Sequence, residues 1–227
     1  MSARAVERIR VERLGTISYA EGLARQQALA EAHFEGGAPD TLLVLEHAPV
    51  ITLGRSGKPA NVLLSPEALA ERGVELVECD RGGDVTYHGP GQVVCYPIFD
   101  LKPDRQDVRR FVADLEEVMI RTAATLGVHA RRKEGMIGCW LGDGEAEPWR
   151  KIGAIGVHLS RWISTHGLAF NVRTRMDHFQ LIVPCGISEY AVTTLEQELP
   201  PEALPSNEEI AERLITAFGE VFDAQLV

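Results

Sequence analysis

The stretch of residues 81–92, which reads RGGDVTYHGPGQ, most constrains how this chain can fold. It sets four glycines among polar side chains, between two runs that predict strands. Glycine allows positive φ and lets another group approach the backbone closely. A simple hairpin needs only about two to five loop residues, so this longer loop favours a surface that wraps a ligand with backbone N–H groups. A glycine-rich connector without a site is the alternative that composition alone leaves open.

The spacing of apolar residues and the positions of turn residues predict the secondary structure. Strands are expected over residues 6–13, 41–46, 50–54, 74–79, 92–101, 128–132, 138–141, 151–160 and 162–172, and helices over 18–34, 65–73, 107–126 and from 206 onwards. Because these elements are interspersed without strict alternation, they predict an α/β (α+β) fold with mixed or antiparallel sheets flanked by helices. A length of 227 residues is ample for one core, so a single domain over residues 1–227 is predicted.

The charge balance limits the partners of this chain. It has 23 Lys and Arg against 33 Asp and Glu, a net charge of −10. Nucleic-acid binding is not expected, because neutralising phosphates requires clustered positive charge. No apolar run reaches the roughly 18 residues of a membrane span, and the first residues lack the apolar core of a secretory signal. A cytoplasmic protein without a membrane or nucleic-acid partner is therefore expected.

One cysteine has a different setting from the rest. The cysteines are widely spaced and form no C-x-x-C pair, which predicts neither a zinc site nor a disulfide framework; they are Cys79, Cys95, Cys139 and Cys185. Cys185 lies between Pro184 and Gly186 after an apolar run, in a turn suited to presenting a thiol. The alternative is a buried structural cysteine, which fits the other three better.

Lys151 opens a predicted strand that also holds two glycines. Glycine inside a strand often marks the close approach of a ligand, although most such lysines are simply solvated. An ammonium beside a thiol lowers its pKa from about 8.5, and a partly buried lysine can also act as a base. A histidine can fill the same role, so the partner of a reactive cysteine stays open between lysine and the available His88, His158 and His166.

Four separate motifs make the sequence similar to one family. They lie at residues 81–92, 150–156 (RKIGAIG), 165–172 (THGLAFNV) and 183–187 (VPCGI). Together they closely resemble the lipoyl(octanoyl) transferases, members of the biotin/lipoate protein ligase superfamily, from about residue 10 to about residue 200. The resemblance implies an α/β catalytic domain of the biotin/lipoate protein ligase type.

The resemblance also implies two successive acyl transfers. Cys185 would take octanoyl from octanoyl-acyl carrier protein, and Lys151 would lower the pKa of that thiol and move protons. The acyl group would then pass to a lysine of a lipoyl domain of the 2-oxoacid dehydrogenase complexes or of the glycine cleavage H protein. No cofactor or metal is implied. This agrees with a sequence that has neither G-x-x-x-x-G-K-[ST] nor a G-x-G-x-x-G between a strand and a helix.

Three segments match the substrate-contacting positions of the family. We expect them to line the acyl pocket and bind around the thioester carbonyl, where backbone donors stabilise an oxyanion. His88 and His166 would either assist there or brace the loops. The expected substrate-binding residues are Arg81, Gly82, Gly83, Asp84, Val85, Thr86, Tyr87, His88, Ala154, Ile155, Gly156, Gly167, Leu168 and Ala169, with His166 in support.

A few positions depart from the family pattern. Gly153 stands where an alanine is expected in the lysine motif. After the cysteine, Glu189, Ala191 and Thr194 stand near expected Asp, Gly and Ser. These changes affect the fine shape of the pocket and leave the implied reaction intact.

Three rival functions stay open. An ATP-dependent lipoate or biotin protein ligase would bind an acyl-adenylate and need no cysteine nucleophile. A non-catalytic relative would only hold an acyl chain, and a Cys-His hydrolase would release free acid. If the protein substrates are acidic, docking requires a local basic surface, for which residues 109–110 and 131–133 are candidates; a solvated charged turn is the alternative for each.

Overall fold

The computed structural model describes residues 7–103, 105–183 and 190–227. Its strands are β1 (Glu7–Ile17), β2 (Thr41–His47), β3 (Val50–Leu53), β4 (Glu75–Glu78), β5 (Val85–His88), β6 (Gln92–Ile98), β7 (Arg131–Lys133), β8 (Met136–Leu141), β9 (Arg150–Ser160), β10 (Ile163–Asn171), β11 (Ala191–Val192) and β12 (Ala224–Leu226). Its helices are α1 (Tyr19–Phe34), α2 (Pro66–Ala70), α3 (Val108–Ala124), α4 (Met176–Phe179), α5 (Leu195–Glu198) and α6 (Asn207–Phe222). Strands and helices are interspersed, as predicted.

The strands of the described chain form two sheets. The larger runs β12-β1-β2-β6-β10-β9-β8-β7, with β11 beside β9. In it β1 pairs in parallel with β12 and β2, whereas β2–β6, β6–β10 and β10–β9 are antiparallel. The smaller sheet runs β4-β3-β5, with one parallel and one antiparallel pair. The prediction of mixed sheets flanked by helices is confirmed.

Helices cover both faces of the larger sheet. Successive side chains of a strand point to opposite faces, and β2 shows the result. Leu42 and Val44 pack in the cluster that includes α3 and α6. Leu43 and Leu45 pack in a separate cluster with α1. The continuously apolar strand β2 is therefore buried on both sides.

Local capping fixes where the covering helices begin. Ser18 and Ser206 start α1 and α6, and each forms a reciprocal capping box with the glutamate three residues later. Asp107 caps α3 by accepting hydrogen bonds from two backbone N–H groups of its first turn.

Three predicted boundaries are wrong. β1 continues to Ile17 instead of ending at residue 13, because a bulge at Gly15 lets its pairing with β2 resume. The strand predicted at residues 128–132 forms at Arg131–Lys133. β5 forms inside the stretch expected to be a continuous loop, since Val85–His88 pairs with β3, a neighbour that exists only in the folded chain.

In the described part of the chain, no helix combines the length and apolar character needed to cross a membrane. No group of three or more His, Cys, Asp or Glu side chains that could hold a metal ion occurs in the same residues.

Candidate active site

Arg81 holds the glycine-rich stretch in place. Its buried guanidinium donates to Thr52 O at 2.7 Å, to Thr52 Oγ1 at 2.8 Å, to Asp84 O at 2.9 Å and to Gly82 O at 3.0 Å. Thr52 belongs to β3, so the rigid fork of donors ties the stretch to the smaller sheet. This geometry gives Arg81 a positioning role, and its expected contact with the substrate stays a prediction.

The glycine-rich stretch lies directly on β9. The N–H of Gly82 donates to Val157 O at 3.0 Å. A methyl group added at Gly156 would lie 2.9 Å from Gly82 O and 3.0 Å from Arg81 Cδ. Glycine at position 156 therefore permits the close approach of two motifs that are far apart in the sequence.

The pairing of β9 with β10 joins the other two binding segments. Gly167 pairs with Gly156, Leu168 with Ile155 and Ala169 with Ala154. These segments were expected to act together, and they form adjacent rungs of one antiparallel ladder.

A narrow cavity of about 50 Å³, which we call the inner cavity, lies where these segments meet. Of the expected binding residues, Gly82 and Tyr87 do not border it. Tyr87 alternates with Thr86 and His88 along β5, and its hydroxyl forms a 2.9 Å hydrogen bond with His178 Nδ1 beneath the smaller sheet. The wall is formed by Tyr19, Arg81, Gly83, Asp84, Val85, Thr86, His88, Tyr96, Lys151, Ala154, Ile155, Gly156, His166, Gly167, Leu168 and Ala169.

His88 borders the inner cavity as a neutral imidazole. Gln92 Nε2 donates to Tyr87 O and to Asn171 Oδ1, so its Oε1 is left to accept from His88 Nδ1 at 2.7 Å. That bond places the proton on Nδ1 and leaves Nε2 as an acceptor. Burial lowers the pKa of His88 to about 3, and neighbouring His47 adds to the effect.

Three residues at or beside the inner cavity, His47, Tyr96 and Tyr19, were not among the site residues predicted from the sequence. His47 Nδ1 donates to Ile17 O, so its Nε2 accepts from the Tyr96 hydroxyl at 2.8 Å. Burial lowers the pKa of His47 to about 4. Tyr19 packs on His47 with ring centroids 5.3 Å apart, and its buried hydroxyl has no hydrogen-bond partner among the described residues. No motif marks these residues, since they come from α1, β2 and β6.

His166 connects β10 to the residue before the glycine-rich stretch. Its Nε2 donates to Asp80 Oδ1 at 2.8 Å, and its backbone N–H donates to Gln26 Oε1 at 2.6 Å. The backbone of His166 adopts φ +57°, which costs a non-glycine residue free energy and must be held by its surroundings. Burial lowers the pKa of His166, opposed by its bond to Asp80. These contacts favour bracing over assistance in catalysis.

Lys151 lies at the junction of the site. Its side chain borders the inner cavity, and its Nζ is 5.0 Å from the centroid of the Trp140 ring. Gly138, at φ +131°, makes room for it: a methyl group there would lie 2.5 Å from Lys151 Cε and 2.7 Å from Gly153 O. Gly138 was not singled out from the sequence, although a glycine within a strand was a usable signal.

A larger cavity of about 450 Å³, the outer cavity, lies on the other side of Lys151. It shares Gly83, Lys151, Ile155 and Gly156 with the inner cavity. Its other lining residues are mostly apolar: Gly82, Val108, Val112, Gly135, Met136, Ile137, Trp140, Val157, Tyr190, Ala191 and Val192. Lys151 therefore lies between a narrow chamber, whose wall includes several polar side chains, and a wide chamber that is mostly apolar.

Cys185 lies outside the described residues, so its distance from Lys151 stays a prediction. The other cysteines are poor nucleophiles. Cys95 and Cys139 are fully buried, and burial raises the pKa of each thiol far above its usual range. Cys79 donates its S–H to Leu53 O at 3.4 Å, a structural contact within the smaller sheet.

The chain matches the model of the lipoyl protein ligase A/B catalytic domain over residues 18–219. It is 50% identical over 219 residues to an octanoyltransferase of Myxococcus xanthus, a match that covers 96% of this chain and 61% of that longer protein. It is 47% identical to an octanoyltransferase of Koribacter versatilis, covering 96% of this chain and 86% of the relative.

Solved structures share the fold at low sequence identity. A bi-partite lipoate protein ligase from Thermoplasma acidophilum superposes with a TM-score of 0.73 at 17% identity, covering 99% of this chain and 86% of that one. A lipoate-protein ligase A bound with ATP superposes with a TM-score of 0.69 at 16% identity, and the match covers 98% of this chain and 90% of that one. A biotin protein ligase from Aquifex aeolicus superposes with a TM-score of 0.54 at 14% identity, and the match covers 93% of this chain and 69% of that one. These likenesses establish the fold alone.

Proposed function

This chain belongs to the lipoyl protein ligase A/B catalytic-domain family and, within it, to the octanoyltransferases, and we propose that it carries octanoyl from acyl carrier protein to a lysine of a lipoyl domain. The observation that carries this proposal is the position of Lys151 between the two cavities. There its ammonium can stabilise a reacting carbonyl, at the point where the three described binding segments meet. Relatives at 44–50% identity named octanoyltransferase support the acyl group.

In the first step the Cys185 thiolate attacks the carbonyl carbon of the donor thioester. A new C–S bond to Cys185 forms, the C–S bond to the carrier breaks, and the departing thiolate takes a proton. One thioester replaces another, so the exchange is nearly isoenergetic and needs no ATP. Lys151 would stabilise the attacking thiolate and supply the proton to the leaving one.

In the second step the neutral amine of the acceptor lysine attacks the acyl-enzyme. A C–N bond forms, the C–S bond to Cys185 breaks, and Lys151 would move the amine proton to the departing sulfur. The amide product is more stable than the thioester, so this step runs downhill. Lipoyl domains of the 2-oxoacid dehydrogenase complexes and of the glycine cleavage H protein are the proposed acceptors.

The inner cavity is the proposed seat of the acyl chain. Its volume of about 50 Å³ is smaller than eight carbons require, because one water alone occupies roughly 30 Å³ in the liquid. We therefore expect the cavity to widen as the chain enters between Ile155 and Leu168. The polar groups of Tyr19, Tyr96 and His88 would then lie around it.

Intact-protein mass spectrometry after mixing with octanoyl-acyl carrier protein, without ATP, tests the proposal. We expect an octanoyl adduct on the wild type and on Cys79→Ala, the matched control, and none on Cys185→Ala. Adding a lipoyl domain should discharge the adduct and octanoylate the domain. Octanoylation that requires free octanoate and ATP would instead establish a ligase, and release of free octanoate without use of the acceptor would establish a hydrolase.

A further inference from the structure

The outer cavity is too large and too exposed to serve only the octanoyl group. We infer that it holds the phosphopantetheine arm of the acyl donor, with Lys133 beside it to bind the phosphate of the arm. The inference rests on the proposed function, because it takes the donor to be the thioester of a carrier protein. It adds the place where the non-reacting part of the donor lies.

The outer cavity leads to the reacting position. It shares Lys151, Ile155 and Gly156 with the inner cavity. A thioester held beside Lys151 would thus have its acyl chain on one side and its pantetheine arm on the other. The volume of about 450 Å³ suits an extended arm with two amides and a branched apolar segment.

The lining of the outer cavity has unexplained apolar exposure. The large hydrophobic residues that are exposed in the described chain are Leu63, Val108, Ile137 and Val227. Two of them, Val108 and Ile137, border this cavity at 44% and 56% exposure. Exposed apolar groups that gather around one concave site mark a binding surface more often than a scattered residue does.

Lys133 supplies a fixed positive charge next to this surface. Its Nζ lies 4.6 Å from the ring centroid of Tyr190, which lines the outer cavity, and 5.0 Å from that of Trp149. Within the described residues Lys133 makes no ion pair with a carboxylate. Neighbouring Arg132 does, since it bonds Glu116 at 3.1 Å and Glu117 at 2.9 Å. Lys133 thus retains a charge, positioned by two aromatic rings, for an anion.

The lysine side chain of the acceptor is the alternative occupant of the outer cavity, and the charge of Lys133 argues against it. The acceptor lysine carries an ammonium until it loses a proton for attack, so on entry it would approach the like charge of Lys133, which is unfavourable at short range. The phosphodiester of the donor arm is attracted instead. Charge therefore assigns the outer cavity to the donor.

Transfer rates with octanoyl-4′-phosphopantetheine and octanoyl-pantetheine, which differ only in the phosphate, test the inference. For the wild type we expect kcat/KM about fivefold higher with the phosphate, as for a partly exposed charge pair. Lys133→Gln should remove this preference and Lys133→Arg should keep it. Lys102→Gln, which removes the same charge at a distant exposed site, is the matched control. Octanoyl-coenzyme A and the intact octanoyl-carrier should show the same loss of kcat/KM with Lys133→Gln.

Ile137→Asp provides a second, independent measurement. The exposed position tolerates the change, and the new carboxylate would repel the phosphate, so we expect a several-fold higher KM for the donor and an unchanged KM for the lipoyl domain. A rise in the KM of the acceptor alone, or a phosphate preference that survives Lys133→Gln, would overturn the inference. Failure of every donor with the wild type would refute the proposed function itself.

Discussion

The inner and outer cavities adjoin the same lysine but are built in opposite ways. Much of the inner wall is buried and several of its polar groups are hydrogen-bonded, as in the bonds of His88 to Gln92 and of His47 to Tyr96. The outer wall consists of partly exposed apolar groups such as Val108 and Ile137. A buried wall with fixed hydrogen bonds restricts the shape of a ligand, whereas an exposed apolar wall suits a partner that binds transiently. Under the proposed function, selection of the acyl group and docking of its carriers would therefore be separate tasks on the two sides of Lys151.

The largest effect is expected from removing the group that the two cavities share. Lys151→Met should lower kcat for octanoyl transfer by about 10²–10⁴, the usual share of a positioned acid–base group, with stability little changed. Steady-state rates and urea unfolding measure the two quantities. Lys102→Met is the control, and full activity of the Lys151 variant would remove this residue from the chemistry.

A substitution of Arg81 tests whether its hydrogen bonds stabilise the loop that borders the inner cavity. Arg81→Met would remove the guanidinium donor from the carbonyls of Thr52, Gly82 and Asp84, of which Asp84 O keeps the N–H of Gly54. We therefore expect a loss of about 2–4 kcal/mol in the free energy of unfolding. Arg81→Lys should rescue little, because one ammonium cannot reproduce the planar fork. An unchanged unfolding midpoint with a raised KM would show instead that Arg81 contacts the substrate.

Gly138 tests how tightly the junction is packed. Gly138→Ala should destabilise the protein by about 1–3 kcal/mol and displace Lys151, because the new methyl group would collide with Lys151 Cε and Gly153 O. Gly135→Ala is a matched control from the same hairpin, since Gly135 also has positive φ but nothing within 4 Å of an added methyl group. Equal losses in both variants would attribute the effect to backbone conformation alone.

The smallest effect expected is a pH dependence of the free energy of unfolding that comes from His88 in the inner wall. The pKa of His88 is about 3 in the folded chain and about 6.5 when unfolded, so its contribution to stability is complete above pH 6.5 and is lost as pH falls towards 3. The loss approaches 1.4 kcal/mol per pH unit. His88→Gln should flatten the fall in unfolding free energy between pH 7 and 5, and the exposed His129→Gln should not. Parallel curves for both variants would contradict a neutral buried imidazole.

Much of the site was predictable because its motifs record backbone requirements. Gly156 is needed for contact between the glycine-rich stretch and β9, and Gly83 and Gly91 adopt positive φ. Lys151 was found because it begins a glycine-containing strand. Tyr19, His47 and Tyr96 were not, because each looks like an ordinary core residue within its own element. Their shared position depends on the crossing of α1 with the larger sheet.

Sequence alone indicated the family and the segments expected to form the site, because four motifs resemble those of the family. It also predicted the mixed sheets, because side-chain periodicity marks each strand and helix. The tertiary structure decided which groups of those segments face a cavity. It turned Tyr87 away from the inner cavity and bound the guanidinium of Arg81 to the loop. It also placed Lys151 between two unlike chambers. The physical reason is that the neighbours of a side chain come from strands and helices distant in the chain, and only packing brings them together.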